Sequence, residues 1–280
     1  MLRSSSVPFD FVRSHGLGND YLVVDATLLG FELTPERVRK ICDRHTGVGS
    51  DGVLAVLETT QADFGLRIFN PDGSEAEKSG NGVRIAAKYL YDHGYTQRTE
   101  FTIHTRGGSV GVTLLLDDER VSAVRVDMGG AAIDRTITSL TIDGESHEVV
   151  ALSVGNPHCV LIVDDLARVD LARLGPRIEQ HPAFPNRTNV QFVQILSRND
   201  VRALIWERGA GHTLASGSSS CAVAAACFDK GLVDGHVIVH MEGGDLNIDV
   251  DDDLNLVMTG PVEEICSGCF SDELRQRLMA

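Results

Sequence analysis

Two four-residue stretches carry side chains able to do chemistry, and they stand in matching surroundings. Ser79-Gly80-Asn81-Gly82 opens one apolar run that ends at Asp92-His93-Gly94, and Ser216-Gly217-Ser218-Ser219 opens another that ends at Asp229-Lys230-Gly231. The second copy follows the first by 137 residues, and the same offset carries Gly18-Asn19 onto Gly155-Asn156 and Ile68 onto Ile205. Serine and glycine ahead of an apolar run are ordinary helix-cap and turn chemistry. Their duplication in register asks for more. A helix N-terminus presents backbone N–H groups without intrahelical acceptors at the positive end of the helix dipole, so two of them at one cleft would hold one anion. Upstream of each run sits a Gly-containing loop, Phe69-Asn70-Pro71-Asp72-Gly73 and Trp206-Glu207-Arg208-Gly209-Ala210-Gly211, in which Asn70 and Glu207 occupy equivalent places. A symmetric site of this kind could act on both faces of a single atom.

A chain that repeats at about half its length reads as two related lobes facing each other across a cleft. Apolar and β-branched segments predict strands over residues 21–25, 65–69, 108–116 and 121–128, and over 159–163, 190–195, 202–206, 237–240 and 256–258. Helices are predicted over 34–45, with Pro35 in the first turn, and over 82–91, 170–180 and 220–230, with Gly94 and Gly231 as C-cap signals. The runs after Ser79 and Ser216 carry few charges on any face, which predicts burial on most sides. The fold class that satisfies this is α/β: two pseudo-symmetric lobes, each a curved, mainly antiparallel sheet around a central helix. The predicted lobes are 1–128, joined by the C-terminal segment 266–280, and 129–265. The boundary falls at Gly129-Gly130, followed by a poorly patterned stretch up to Gly144.

Composition narrows the function classes. The 280 residues are 42% hydrophobic and 23% charged, as expected of a globular protein, and carry a net charge of −15. That charge argues against nucleic acid or an anionic membrane as partner. Asp251-Asp252-Asp253 reads as a solvated turn, and no metal site is expected. No stretch approaches a membrane helix in apolar length, and residues 1–6 lack the apolar core of a secretory signal, so a cytoplasmic location is expected. The six cysteines are irregularly spaced, which argues against a disulfide framework. Cys266 and Cys269 form a lone C-x-x-C pair without a second pair to complete a zinc site, while Cys221 and Cys227 lie in an Ala-rich run as small core residues. No Gly-Lys-Ser/Thr element or dinucleotide-type glycine spacing occurs, which leaves little support for a phosphate-binding enzyme.

The ordered set of motifs resembles the diaminopimelate epimerase family. His15-Gly16-Leu17-Gly18-Asn19-Asp20, Phe69-Asn70-Pro71-Asp72-Gly73-Ser74 and Ser79-Gly80-Asn81-Gly82 resemble its first half. Gly155-Asn156-Pro157-His158-Cys159, Arg187-Thr188-Asn189, Glu207-Arg208-Gly209-Ala210-Gly211 and Ala215-Ser216-Gly217-Ser218 resemble its second half. The resemblance runs from about residue 10 to about 265 and implies the two-lobed fold read above. It further implies interconversion of L,L- and meso-diaminopimelate, in lysine and cell-wall synthesis, without pyridoxal phosphate or any other cofactor. In that family one cysteine thiolate removes the Cα proton while a second cysteine thiol returns one to the opposite face. Helix N-termini would favour the thiolate and hold the α-carboxylate as the carbanion forms. By matching motif, Asn81, Gly82, Gly217 and Ser218 would meet the amino-acid end of the substrate, and Gly80 is a further substrate-binding position. Asn19, Asn70, Asn156, Asn189 and Arg208 would meet its far end, Arg208 by pairing with the distal carboxylate. Glu207 and His158 would sit near the reacting carbon. The implied partner is a small amino-acid substrate, and a homodimer is compatible with the resemblance.

The chain departs from the family where the chemistry is done: both cysteine positions hold serine, Ser79 and Ser216. A thiol titrates near ~8.5 and an alcohol closer to ~15.7, a gap on the order of 10 kcal/mol per base. A helix dipole worth about 0.3–2 kcal/mol does not close it. The expectation is a chain that binds substrate and hardly turns it over, with two matched one-atom changes reading as an inactivating pair. Gly52 stands where the family often has glutamine and His212 where it usually has glutamate. These departures keep two rivals in view: a cofactor-independent racemase of another amino acid such as histidine, and a non-catalytic amino-acid-binding protein.

Overall fold

A computed structural model describes residues 9–280; the segment 1–6, read above for a leader, lies outside the described residues. By its internal contacts the chain separates into two compact units, Met1–Val126 with Gly260–Ala280, and Asp127–Thr259. Among the described residues no helix is long and apolar enough to cross a membrane.

In the first unit, strand Phe11–Gly16 lies antiparallel to both Asn19–Asp25 and Glu263–Gly268. Asn19–Asp25 runs parallel to Val53–Leu57, which is antiparallel to Phe64–Phe69. Phe64–Phe69 continues to Glu75–Ala76 and Glu100–Thr105, and the latter to Gly108–Asp117. The second unit repeats the scheme. Val150–Ser153 pairs with Pro157–Ile162, that strand runs parallel to Asn189–Ile195, and Asp200–Glu207, Gly211–Thr213, His236–Met241 and Gly244–Val250 follow in the same order. The offset read in the sequence governs the pairing itself. Leu22 lies beside Val53 as Cys159 lies beside Val190, Val53 opposite Phe69 as Val190 opposite Trp206, and Ile68 opposite Ala76 as Ile205 opposite Thr213.

Among the described residues five α-helices accompany the strands: α1 (Pro35–Cys42), α2 (Gly80–Asp92), α3 (Leu171–Glu179), α4 (Gly217–Asp229) and α5 (Asp272–Met279). α2 touches Phe11–Gly16, Asn19–Asp25, Val53–Leu57, Phe64–Phe69 and Gly108–Asp117; α4 touches the equivalent strands of its own unit. One helix reaches so many strands only when the sheet curls around it, and the curl accounts for the near-complete burial of both helices. The run Ser219-Ser220-Cys221-Ala222-Val223-Ala224-Ala225-Ala226-Cys227 is buried throughout, its small side chains letting the surrounding strands close in. Both helices end in the same way. Tyr95 N–H bonds to Leu90 C=O and Gly94 N–H to Tyr91 C=O, as Leu232 N–H bonds to Cys227 C=O and Gly231 N–H to Phe228 C=O. Gly94 and Gly231 adopt φ of 72° and 69°, the left-handed turn that this double bond requires and that glycine enters without steric cost.

Both central helices begin earlier than the apolar pattern predicts, because the Gly and Ser residues of their first turns carry no hydrophobic signal. α5 was not predicted: only Leu274 and Leu278 of its eight residues are buried, a pattern too sparse to read. The stretch after Gly130, expected to be poorly patterned, in fact holds strand Ala132–Asp134 and a hairpin of Ser139–Ile142 with Glu145–Glu148. Leu140 and Ile142 there join a core cluster with Ile178 and Phe192, so tertiary burial supplies what local pattern lacks.

α3 packs closely over Trp206. A Cβ added at Gly175 would lie 2.5 Å from the Trp206 Cδ2 atom, well inside contact distance. Gly175→Ala should therefore cost about 1–3 kcal/mol through forced displacement of a packed ring, read as a lowered denaturant midpoint; an unchanged midpoint would show that the ring relocates without cost.

Candidate active site

The first unit gathers its expected site residues around the start of α2. Ser79 sits at the N-cap with extended backbone (φ −141°, ψ 119°), and its Oγ accepts from Gly82 N–H at 3.1 Å. Buried Asn81 donates through Nδ2 to Asn19 Oδ1 (3.1 Å) and accepts at Oδ1 from the Arg84 guanidinium (2.9 Å). Asn19 in turn donates to Asp51 (3.1 Å), whose other oxygen takes Arg44 at 2.7 Å. Asp20 completes the cluster between Arg13 and Arg44. Asn19 is thus oriented by Asp51, itself paired with Arg44, and Asn81 by the buried Arg84, so the donors and acceptors of both amides are set before any ligand arrives. Asn70 does not join this group: it bonds to Ser74 within its own turn, by backbone (2.8 Å) and side chain (2.9 Å).

In the second unit Ser216 occupies the equivalent N-cap (φ −146°, ψ 125°) yet makes no side-chain cap bond. Its hydroxyl instead donates to Glu207 Oε2 at 3.2 Å. The first-turn N–H groups of α4 are thereby left without the serine oxygen that serves them in α2, which leaves that end able to take an anionic acceptor. Enclosure of the Glu207 carboxyl raises its pKa, opposed in part by the hydrogen bond from Ser216. Asn189 accepts from Arg208 N–H at 2.9 Å and donates to Pro157 C=O at 2.9 Å, tying three motif segments together. The Arg208 guanidinium reaches Asn186 C=O at 3.1 Å from an exposed turn.

His158 is fully buried, and burial pushes its pKa down to about 3, so the imidazole is neutral. Its Nε2 meets Asn156 Oδ1 at 2.9 Å and its Nδ1 meets Gln191 Nε2 at 3.0 Å. Expected beside the reacting carbon, this ring has both nitrogens engaged by protein groups, which suits it to positioning Asn156 rather than to carrying a proton. His212, a point of departure from the family pattern, pairs with Glu242 at 2.5 Å on the surface.

Sequence reasoning passed over Asp51, Arg84, Glu179, Gln191 and Ser219. Glu179, buried on α3, accepts from Trp206 Nε1 (2.8 Å), Gly209 N–H (3.1 Å) and Arg187 (3.1 Å). A carboxylate on the apolar side of an amphipathic helix, and a glutamine at an inward position of a strand, were the available signals. None of the six cysteines forms a disulfide, and burial raises the Cys42, Cys159 and Cys227 thiols, the last to about 12. Among the described residues no group of three or more His, Cys, Asp or Glu side chains is arranged to hold a metal ion.

Glu207 makes a pH prediction. Because its folded pKa lies above the unfolded value of 4.5, the folded state keeps this proton to higher pH. The group therefore favours folding below the unfolded value and withdraws that stability as pH rises through the folded one. Glu207→Gln should flatten the dependence of denaturant midpoint on pH from 4.5 upward and leave the variant at least as stable as the parent at neutral pH. A steeper dependence in the variant would contradict the assignment.

The fold recurs among solved structures. A hydroxyproline epimerase from Agrobacterium vitis superposes with a TM-score of 0.71 at 14% identity, over 91% of this chain and 90% of that one. A PhzF-family phenazine biosynthesis protein from Bacillus anthracis gives 0.71 at 16% identity, over 92% and 97%. Sequence relatives are nearer. "Diaminopimelate epimerase 2" of Nostoc sp. is 46% identical over 274 residues, 94% of this chain and 96% of its own. The diaminopimelate epimerase of Pelotomaculum thermopropionicum is 42% identical over 272 residues, 92% and 97%. The protein is thus an isomerase of the epimerase and racemase class. With the family pattern matching residues 11–133 and 150–265, the chain belongs to the diaminopimelate epimerase family.

Proposed function

We propose that this chain carries the binding site of an epimerase that interconverts L,L- and meso-diaminopimelate by proton transfer at Cα, with no cofactor. The observation that carries the reading is the contact of the Ser216 hydroxyl with the enclosed Glu207 carboxyl at the uncapped start of α4. A carboxylate placed on those N–H groups gains charge as the α-carbanion forms, and fixed donors stabilise it most at that moment. The two residues that start α2 and α4, Ser79 and Ser216, are proposed to approach Cα from opposite faces. Arg208 pairs with the distal carboxylate, the amides of Asn19, Asn70, Asn156 and Asn189 hold that far end with it, and Asn81 meets the amino-acid end. Gly80, Gly82, Gly217 and Ser218 offer backbone donors to the amino-acid end.

With serine at both base positions, the proposed activity is binding without appreciable turnover, because an alkoxide at neutral pH is too costly to form. Calorimetric titration with meso- and L,L-diaminopimelate beside L- and D-histidine tests the substrate. Saturable binding of diaminopimelate with no response to histidine is expected. Tighter binding of histidine would replace the reading with a racemase of that amino acid.

A further inference from the structure

A buried polar chain runs from the first turn of α4 to the Asn156 loop. Gln191, wholly buried on strand Asn189–Ile195, donates through Nε2 to Ser219 Oγ at 2.9 Å and to His158 Nδ1 at 3.0 Å. His158 Nε2 then meets Asn156 Oδ1 at 2.9 Å. The orientation of the glutamine amide follows from counting. As placed, it leaves one buried acceptor, Gln191 Oε1, without a partner. Turned over, the carbonyl would gain two donors, but both amide N–H bonds would be buried facing no acceptor, the costlier fault. With Nδ1 accepting from Gln191, the neutral ring carries its proton on Nε2 and donates it to Asn156 Oδ1.

The fold itself does not call for these groups. In the first unit the positions equivalent to His158, Gln191 and Ser219 are Tyr21, Leu54 and Gly82, in the same strand register and at the same helix turn. There an apolar contact fills the space, since a Cβ on Gly82 would lie 3.0 Å from Leu54 Cδ2. At these three positions one repeat places a tyrosine, a leucine and a glycine, and the other buries a histidine, a glutamine and a serine. Buried polar groups cost stability unless they are satisfied, so their presence in one repeat alone points to a task other than packing.

We infer that Gln191 is a positioning residue: through the His158 tautomer it fixes the Asn156 amide so that Nδ2 is the atom presented to ligand. A donor at that point suits a carboxylate or carbonyl oxygen and rejects an ammonium group. This deepens the functional reading above and rests on it for the identity of the ligand, but the tautomer can be judged without any ligand. Gln191→Glu inverts the relay. A carboxylate there accepts from Nδ1–H, moves the ring proton off Nε2, and obliges Asn156 to turn its Nδ2 toward the ring and its oxygen toward ligand.

Nitrogen-15 NMR of the histidine-labelled, unliganded protein tests this directly, with the His158 signals assigned by their loss in His158→Gln. The unmodified chain should show a neutral ring protonated at Nε2 from pH 5 to pH 8. Gln191→Glu should show Nδ1 protonation, and calorimetry should show meso-diaminopimelate binding weakened at least about tenfold, the effect of one misdirected charge-assisted hydrogen bond. Gln191→Met, which keeps the length and removes the amide, should give a mixture of tautomers and an intermediate affinity. An Nδ1-protonated or charged ring in the unmodified chain overturns the proposal even if every variant is unstable. An Nε2–H ring that persists in Gln191→Glu overturns it as well. Absence of diaminopimelate binding by the unmodified chain would overturn the functional reading instead, with the NMR result still deciding the relay.

Discussion

Ser79→Cys and Ser216→Cys, introduced together, are expected to raise the exchange of the α-hydrogen of diaminopimelate with deuterated solvent by more than about a thousandfold. The argument is one of acidity. Exchanging an alcohol near ~15.7 for a thiol near ~8.5 removes on the order of 10 kcal/mol of the cost of forming each base. The helix N-terminus favours the thiolate further, by about 0.3–2 kcal/mol. Geometry at the two positions already differs, with Ser79 Oγ accepting from Gly82 N–H and Ser216 Oγ donating to Glu207. The single variants should therefore be unequal. A thiol at 216 has the Glu207 carboxyl at hand to take or return its proton, whereas a thiol at 79 has an N–H that stabilises its charged form. Each single variant should wash the hydrogen from one epimer, and only the double variant should interconvert the two. Proton NMR in deuterium oxide reads both results from the loss of the α-hydrogen signal and the growth of the second isomer. No exchange in a folded double variant that binds substrate would remove the two-base reading.

Glu179→Leu should lower stability by about 3 kcal/mol and weaken diaminopimelate binding more than tenfold. The carboxylate satisfies the Trp206 indole N–H and the Gly209 amide, both of which leucine would strand. It also takes Arg187, a residue in the left-handed region at φ 59°, and its backbone carbonyl accepts from Thr188 N–H. A single buried group thus holds the turn leading into Asn189 and the loop that carries Arg208. Arg187→Ala is the control: Arg187 is largely exposed, so its ion pair should contribute no more than about 1 kcal/mol. Equal losses from the two changes, by denaturant midpoint and calorimetry, would show that the ion pair rather than the buried bonds organises these loops.

Much of this architecture was legible in the residues. The repeat was visible because it is written in small, conformationally particular residues, Gly18 and Gly155, Gly94 and Gly231, whose place depends on turn geometry rather than on neighbours. The central helices were visible because a run with few charges must be buried, and the outer helix α1 because Pro35 suits a first helical turn; the capping of α1 by Thr34 and of α3 by Asp170 emerged only in the structure. Hidden were the elements whose burial is decided elsewhere. The hairpin around Asp143-Gly144 buries only Leu140 and Ile142, and α5 only Leu274 and Leu278.

The site divides in the same way. Sequence alone determined the repeat, the serine-led helix starts and the family motifs, since each is a local pattern of residue type and spacing. Tertiary structure alone decided which way the amides point: Asn81 toward Asn19, Asn189 toward Pro157, and Asn156 under His158 with its ring on Gln191. Hydrogen-bond direction depends on partners that lie far apart along the chain, here 62 residues between Asn19 and Asn81 and 33 between His158 and Gln191. No local pattern encodes a meeting of that kind; it exists only once the strands of each unit have curled around that unit's own helix.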